Sequence, residues 1–505
     1  VEVQYEARML DRRTVLAGSA SLLACGPAGV RAPRVQVPGP PFSESPFAFG
    51  VASGDPTADG VVLWTALEVA GRDDVSVGWE LAADERFERI LASGVATAAR
   101  DAGHTLHVEP TGLPGDGTFF YRFVVPGQVS PIGRTRTLRA TGAPETFRFG
   151  IGSCQDLRGG SFTAHRHAAN QRFDLFFFLG DFIYERNRAG VRAHQSAEPV
   201  DLASYRARHA EYRRDVDLQA NLAACPWVVT WDDHELVNNY GGLSHGTLSV
   251  EQLRERRRAA YRAYAEWMPI RTRPDDDGSM RLFRGLEVGS LLSVSVLDTR
   301  QYRSRLVCGG RAGMACADWG AADDSMLGTE QRDWLEARLR GSTARWNVLA
   351  QQVVFSDFVV GGGVFLNHDQ WDGYPAERRR LLDVFDALPA RNTVILSGDI
   401  HLGALSRVLR PNTARASAVE IVTNSISSGG SQGEGNGSLI EGLVGGLPGF
   451  LYAYEGRRGF TACTVTEASW QVDFEVVDSI DTPGGAVSTH ASFEVSRELL
   501  ARRRG

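Results

Sequence analysis

From residue 147 onward, five short apolar runs each end in a cluster of chemically reactive side chains, and this repeated juncture limits what the chain can fold into. Residues 147–153 run into Cys154-Gln155, residues 175–179 into Gly180-Asp181-Phe182-Ile183-Tyr184-Glu185, and residues 227–231 into Asp232-Asp233-His234-Glu235. Residues 291–297 end in Asp298-Thr299-Arg300, and residues 394–397 in Gly398-Asp399-Ile400-His401. Apolar runs of this length read as buried strands, and the helix-like segments between them complete the pattern of a layered α/β fold. Open α/β sheets bind ligands beyond the carboxyl ends of their strands. The topology therefore brings a thiol, carboxylates, a phenol, imidazoles and a guanidinium to one rim.

That set of residue types points to a metal site. Each motif alone is compatible with a turn aspartate or a satisfied loop histidine, whereas their conjunction favours ligation. A carboxylate such as Asp181 can bridge two cations, and paired cations clamp the attacking and leaving oxygens of an in-line displacement at phosphorus, with a bridging hydroxide as nucleophile. His234, beside the expected ligand Asp233, is placed to face the phosphate or the leaving oxygen as electrostatic stabiliser or general acid. Arg300 follows a strand directly into the rim, so its guanidinium fork is expected on non-bridging phosphate oxygens, with a structural salt bridge as the alternative. For Arg303 and Asp372 the structural reading is the stronger. His165 and His167 lie in a polar helix start and read as surface residues, while His368 is placed to line the cleft mouth.

The rest of the chain frames this centre. With 505 residues, 43% hydrophobic and 23% charged, it is long enough for two or three domains with a large core. Its net charge of −7 supplies no broad basic field for nucleic acid, so the expected partners are small-molecule phosphate esters attracted locally. Arg12 and Arg13 precede the apolar residues 15–24, too few to span a bilayer but suited to a signal-peptide core. Residues 1–30 thus read as a twin-arginine leader, implying export through the twin-arginine machinery to the periplasm, the cell envelope or the medium. Cys25, after Leu22-Leu23-Ala24, also resembles a lipidation site. Residues 31–46 read as a linker. Residues 47–140 show short alternating runs separated by turns, the pattern of a small antiparallel β-sandwich of immunoglobulin or fibronectin type, and residues 146–505 carry the catalytic domain. Helices over residues 330–339 and 376–388 read as cover for a sheet. Six scattered cysteines form no disulfide framework of the small secreted type, although Cys308 and Cys316 are spaced to pair, and Cys225 and Cys463 read as buried. Residues 186–209 and the Gly-rich 427–446 read as lids, the glycines implying mobility more than chemistry, and Arg502-Arg503-Arg504 as a solvated terminus.

Gly180-Asp181-x-x-Tyr184, Asp233-His234-Glu235 and Gly398-Asp399-x-His401 resemble the motifs of the calcineurin-like metallophosphoesterases, and in particular of the PhoD-like alkaline phosphatases. Phe49-Gly50-Val51-Ala52-Ser53-Gly54-Asp55-Pro56, Gly152-Ser153-Cys154-Gln155, Leu297-Asp298-Thr299-Arg300 and Asp369-Gln370-Trp371-Asp372-Gly373-Tyr374 carry the resemblance over nearly the whole mature chain. It implies a four-layer αββα sandwich preceded by the β-sandwich. It also implies that Cys154, Asp181, Tyr184 and His401 bind a ferric ion, with Asp181 bridging to a second centre. There this chain offers Asp233 and Asp399 where the broader superfamily uses Asn and His. An oxygen-rich set favours calcium, with Asn238 preferred over Asn239 as a further carbonyl ligand and zinc or manganese as alternative occupants. The activity implied is an exported alkaline phosphatase or phosphodiesterase acting through a metal-bound hydroxide. A phospholipase- or nuclease-type phosphodiesterase on the same scaffold is the first alternative, and a catalytically inactive envelope binding protein the second, which the intact ligand set disfavours.

Overall fold

Leu175–Leu179, the sequence LFFFL, is buried at every position, which a strand tolerates only when both faces of its sheet are covered. In this computed structural model the described residues are 35–504 without 70, 72, 188, 391, 411–412 and 430–438. The expected leader with Arg12, Arg13 and Cys25 lies outside them. Leu175–Leu179 runs parallel to Phe147–Gly152 on one side and Trp227–Thr230 on the other. These three are the centre of a ten-stranded sheet that antiparallel strands extend on the first side as far as Ala501–Arg504. A second sheet of seven strands has Leu292–Val296, Trp346–Ala350, Thr393–Ser397 and Ala416–Val422 in parallel at its middle.

The two sheets face each other across an apolar core in which Phe149, Phe177 and Trp470 of the first meet Val294, Val348, Leu396 and Ile421 of the second. Helices Leu202–Arg213, Val216–Ala224 and Val250–Trp267 cover the outer face of the first sheet, setting Tyr205, Leu218 and Tyr261 against Phe176, Phe178 and Trp227. Gly328–Gly341 and Pro375–Ala387 cover the second, with Leu335, Leu381 and Phe385 against Leu349 and Ile395. The result is the expected αββα layering.

The N-terminal region departs from a self-contained sandwich. Val51–Gly54 pairs in parallel with Trp227–Thr230 at Gly54↔Trp227, and Val62–Ala66 and Thr105–Val108 continue the ten-stranded sheet from it. Val77, Leu81, Phe119 and Phe123 of the five-stranded sheet pack on Val51, Leu63 and Leu106 of this extension. One layer of the sandwich is thus the edge of the ten-stranded sheet. The junction is further tied by Trp64, whose Nε1 donates to the Glu266 carbonyl at 2.8 Å, and by Arg284, which pairs with Asp55 at 2.6 Å. Arg213, fully buried, lies 4.0 Å over the Trp64 ring and 5.3 Å from the Phe182 ring, joining the N-terminal strands to the loop that carries Asp181.

Three expectations are corrected here. Arg502-Arg503-Arg504 does not hang free, because its backbone pairs with Val487–Ser496 while the side chains stay in water. His165 is not on the surface: it is fully buried, bridging Gln155 and Asn221. His368 is buried too, with Nδ1 2.5 Å from the Arg311 carbonyl. Cys308 and Cys316 form a disulfide, and Cys225 and Cys463 are free and buried.

A fragment starting at residue 146 would expose Trp227 at an open sheet edge together with the faces that Trp64 and Trp267 share. Such a fragment is expected to lack cooperative thermal unfolding and the near-ultraviolet circular dichroism of the full chain. Cooperative unfolding of the fragment close to the midpoint of the full chain would contradict this account of the junction.

Candidate metal centre

Where the parallel strands end, the two sheets converge. Ser153 and Ser425 form a bridge between them, and Gln352 links Thr230 Oγ1 at 2.6 Å to the Leu297 carbonyl at 2.9 Å. Immediately beyond these ends the backbone turns through the left-handed region at Cys154 (φ 57°), Asp181 (58°), Asp399 (64°) and His401 (58°). That conformation is uncommon for residues with a Cβ, and here it recurs at four of the expected ligands. Gly180, at φ 102°, lets the Asp181 loop pass Asp232 so closely that a Cβ would sit 2.5 Å from the Asp232 side chain.

The turns aim the side chains at three overlapping clusters. Cys154, Asp181 and His401 offer ligand atoms within 4.8 Å of one another, as do Asp181, Asp233 and His234, and again Asp232, Asp233 and Asp399. Tyr184 joins the first, its hydroxyl 2.8 Å from Asp181 Oδ2 and 3.1 Å from His401 Nε2. His401 uses Nδ1 on the Gly429 carbonyl at 2.8 Å, which leaves Nε2 for the cluster. Asp181 is thus shared by the first and second clusters, and Asp233 by the second and third. Cys154, Asp181, Tyr184 and Asp233 are buried, whereas His234, Asp399 and His401 keep partial exposure, so solvent reaches the centre from their side.

The electrostatics call for cations. Burial pushes the carboxyls of Asp181 and Asp232 well above the usual range and that of Asp399 up to about 6. Burial, reinforced by the Asp181 carboxylate, also raises the Cys154 thiol and the Tyr184 phenol well above their ordinary values. Among the described residues only Arg300 and Arg303 form ion pairs with Asp232, Asp233, Asp369 and Asp399. Asp233 Oδ1 and Asp232 Oδ2 are buried without a hydrogen-bond partner. Orphaned carboxylate oxygens beside a thiol and a phenol are the donors a pair of metal ions would ionise and fill, so the residues fit metal occupancy.

Burial works against protonating His234, yet the carboxylates of Glu185, Asp181 and Asp233 hold its imidazole well above the ordinary value. Its Nδ1 lies 2.6 Å from Glu185 Oε2 and its ring stacks on Tyr184 at 4.1 Å. Glu185 is fully buried and belongs to none of the clusters, so it stays with His234 when the aspartates are neutralised.

Arg300 is placed differently from the expectation of a phosphate contact. Fully buried, it gives Nε to Asp232, Nη1 to Asp369 at 2.7 Å, and Nη2 to Asp399 at 3.3 Å with Asp233 at 3.5 Å. Four carboxylates claim the fork, and the side chain acts as their internal counterion. Arg303 supports it by binding Asp369 at 2.5 Å, and Asp372 accepts the Phe358 N–H at 2.9 Å, a structural role. Asn238 gives its backbone N–H to Glu185 and its side-chain N–H to Asn239, whereas Asn239 is the residue whose backbone N–H reaches Asp233. Both residues thus border the Asp233 loop, Asn239 through its backbone and Asn238 through Glu185.

Glu235 was not among the expected site residues. It accepts the backbone N–H groups of Asp181 at 3.1 Å, Phe182 at 2.6 Å and Asp232 at 2.8 Å, fixing two ligand loops with one carboxylate although burial pushes its carboxyl up to about 7. Gln155 staples the loops from the other side, donating to the Phe182 carbonyl at 2.8 Å and meeting His165 at 2.7 Å. Their positions directly after two ligand motifs were the only signal in the sequence.

Comparison with known proteins gives concordant results. Residues 149–474 match the PhoD-like phosphatase family and residues 32–139 the N-terminal domain of PhoD-like phosphatases. Alkaline phosphatase D of Bacillus subtilis (strain 168) is 39% identical over 488 residues, covering 92% of this chain and 83% of that protein. A solved structure of PhoD superposes with a TM-score of 0.88 at 38% identity, covering 92% of this chain and 94% of that one. The purple acid phosphatase PPD1 from yellow lupin (Lupinus luteus) seeds shares the fold at a TM-score of 0.55 and 10% identity, over 89% of this chain and 75% of its own.

Glu235→Gln leaves one acceptor oxygen for three N–H groups and turns an amide donor toward them. It is expected to destabilise the fold by about 2–3 kcal/mol and to weaken metal binding about 10–100-fold, read by denaturant unfolding and metal titration. Unchanged metal affinity would remove Glu235 from the support of the site.

Proposed function

This chain belongs to the PhoD-like phosphatase family, and from that premise we propose that it is an exported metal-dependent phosphatase and phosphodiesterase acting on small phosphate esters. It is a phosphoester hydrolase. The observation that carries the mechanism is the chain of shared carboxylates, Asp181 joining the cluster of Cys154, Tyr184 and His401 to that of Asp233 and His234, and Asp233 joining the latter to Asp232 and Asp399.

Cys154, Asp181, Tyr184 and His401 would hold one cation, and a thiolate with a phenolate suits ferric iron rather than magnesium or calcium. Asp181, Asp233 and Asp399, with an Asn238 or Asn239 carbonyl, would hold the second, and this hard, flexible set suits calcium, with zinc or manganese as alternatives. When bound, such ions neutralise the phosphoryl oxygens and make an attacking water acidic enough to serve at neutral pH. The chain itself supplies the proton. Glu185 holds Nδ1–H of His234, which keeps the imidazolium charged and leaves Nε2 to stabilise or protonate the leaving oxygen at the open side of the cleft. Arg300 keeps Asp232, Asp369 and Asp399 in place, and its fork is occupied by these carboxylates.

Arg12-Arg13 and the apolar residues 15–24 support export by the twin-arginine machinery, which carries folded proteins and would deliver the centre already loaded. Cys25 supports a lipid anchor. The Cys308–Cys316 disulfide supports an oxidising compartment, periplasmic, envelope-bound or extracellular.

The test is hydrolysis of an aryl phosphate monoester and the matching diester, before and after chelation. Turnover is expected to disappear on chelation and return with metal, and the ratio of the two esters ranks monoesterase against diesterase. Asp181→Ala is expected to lose both metals and all measurable turnover. His234→Ala should retain metal while kcat falls about 10²–10⁴-fold. Turnover that survives chelation, or a His234→Ala enzyme of normal rate, would overturn the mechanism.

A further inference from the structure

The Gly-rich stretch read as a mobile lid begins with three residues that grip the first cluster. Backbone N–H groups of Ser427 and Ser428 donate to the Cys154 carbonyl at 3.3 and 3.1 Å. The Gly429 carbonyl meets His401 Nδ1 at 2.8 Å. Between them the Ser428 hydroxyl, 1% exposed, lies 2.7 Å from the Tyr184 hydroxyl oxygen, 2.7 Å from the Cys154 carbonyl, and accepts the Asp156 N–H at 3.1 Å. A single strap thus touches Cys154, Tyr184 and His401.

We propose that Ser428 is a positioning residue whose hydroxyl donates to the Tyr184 oxygen in the metal-loaded site, setting the basicity of that ligand and the strength with which the cluster holds its cation. The inference rests on the reading of Tyr184 as a metal ligand. One hydroxyl carries one proton, and two acceptors compete for it. The Cys154 carbonyl already receives two backbone N–H groups and is neutral, whereas a ligating phenol oxygen is anionic and has lost the proton it shares with Asp181 Oδ2 at 2.8 Å. Hydrogen bonds to an ionised acceptor are roughly twice as strong as neutral ones, so the proton goes to Tyr184. The Asp156 N–H takes a lone pair of the Ser428 oxygen and anchors that oxygen between the two acceptors.

Removing the donor leaves the phenolate oxygen buried with one partner fewer. Its filled orbital rises, and electron transfer from it to a ferric ion requires less energy. Protein reconstituted with Fe³⁺ is therefore expected to show a visible phenolate-to-iron band that Tyr184→Phe abolishes. Ser428→Ala should move that band to longer wavelength and weaken Fe³⁺ binding about 10–100-fold. Ser428→Thr, which keeps the hydroxyl, should restore both.

Fe³⁺ affinity measured across Ser428→Ala, Tyr184→Phe and the double variant separates tuning from mere support of the backbone. Under the proposal the serine change has little further effect once the phenol is gone, while an equal loss in both backgrounds would place its role on the Cys154 carbonyl and overturn the assignment. An unshifted band and unchanged affinity in Ser428→Ala would also overturn it, with Tyr184 still a ligand. A wild-type protein without a band sensitive to Tyr184→Phe removes the ligand reading itself, and the proposal with it. Should Ser428→Ala fail to fold, Ser428→Cys, a similarly sized but much weaker donor, is read by the same criteria.

Discussion

Asp181, Asp232, Asp233, Asp369 and Asp399 are gathered at one rim with little or no access to water, and the arrangement of the surrounding chain follows from that. Two unit charges 4 Å apart interact by about 4 kcal/mol at the effective dielectric of a protein surface, and each carboxylate also loses hydration. Arg300 meets four of the five, and Arg303 reinforces it through Asp369. Two guanidinium charges against five carboxylates leave a deficit that bound metal ions would fill. Arg300 therefore belongs to the scaffold of the site. It compensates four of the aspartates, and Asp181, with which it forms no ion pair, remains for the shared position.

Holding such a cluster requires that its backbone cannot relax, and the two-sheet architecture provides this. Parallel strands from both sheets end at the same level, where Thr230, Leu297, Gln352, Ser153 and Ser425 knit one sheet to the other. Glu235 and Gln155 then tie the first loop residues of neighbouring strands. The helix layers contribute through the same contacts. Tyr212 donates nothing to the clusters, but its hydroxyl accepts the N–H groups of Leu157 and Tyr184, so the outer layer grips the ligand loops directly.

Much of this is legible in the sequence, for a local reason. A strand buried on both faces must be apolar throughout, so the change from apolar to polar marks its end, and five such ends point to one rim by topology alone. What stayed hidden depends on distant partners. Arg300 reads the same in sequence whether it faces a phosphate or carboxylates, and its fate was decided by Asp369, 69 residues away. His165 sits in a polar segment, and its burial depends on Gln155 and on Asn221, 56 residues away. The N-terminal strands alternate like those of any small sandwich, and nothing local announces that Gly54 lies beside Trp227. Ser428 is hidden by the glycines after it, whose composition suggests motion, while the serine at their head makes four close polar contacts with the loop at 154–156 and with Tyr184.

The left-handed backbone at Cys154, Asp181, Asp399 and His401 links the fold to the chemistry. Glycine occupies that region without strain, yet glycine has no side chain to offer a cation. A residue that must turn the chain sharply off a strand end and also ligate has to accept the strained conformation, at about 1–3 kcal/mol each. Four such residues are tolerable only because the sheet junction and the Glu235 and Gln155 ties over-determine the loops. Strain of this size spread over four ligands also resists rearrangement: a loop that relaxed would withdraw its donor from a shared cluster and leave the remaining carboxylates worse compensated. Backbone strain, buried charge and the cations proposed for the site would therefore stabilise one another, and the site is expected to assemble as a unit rather than residue by residue.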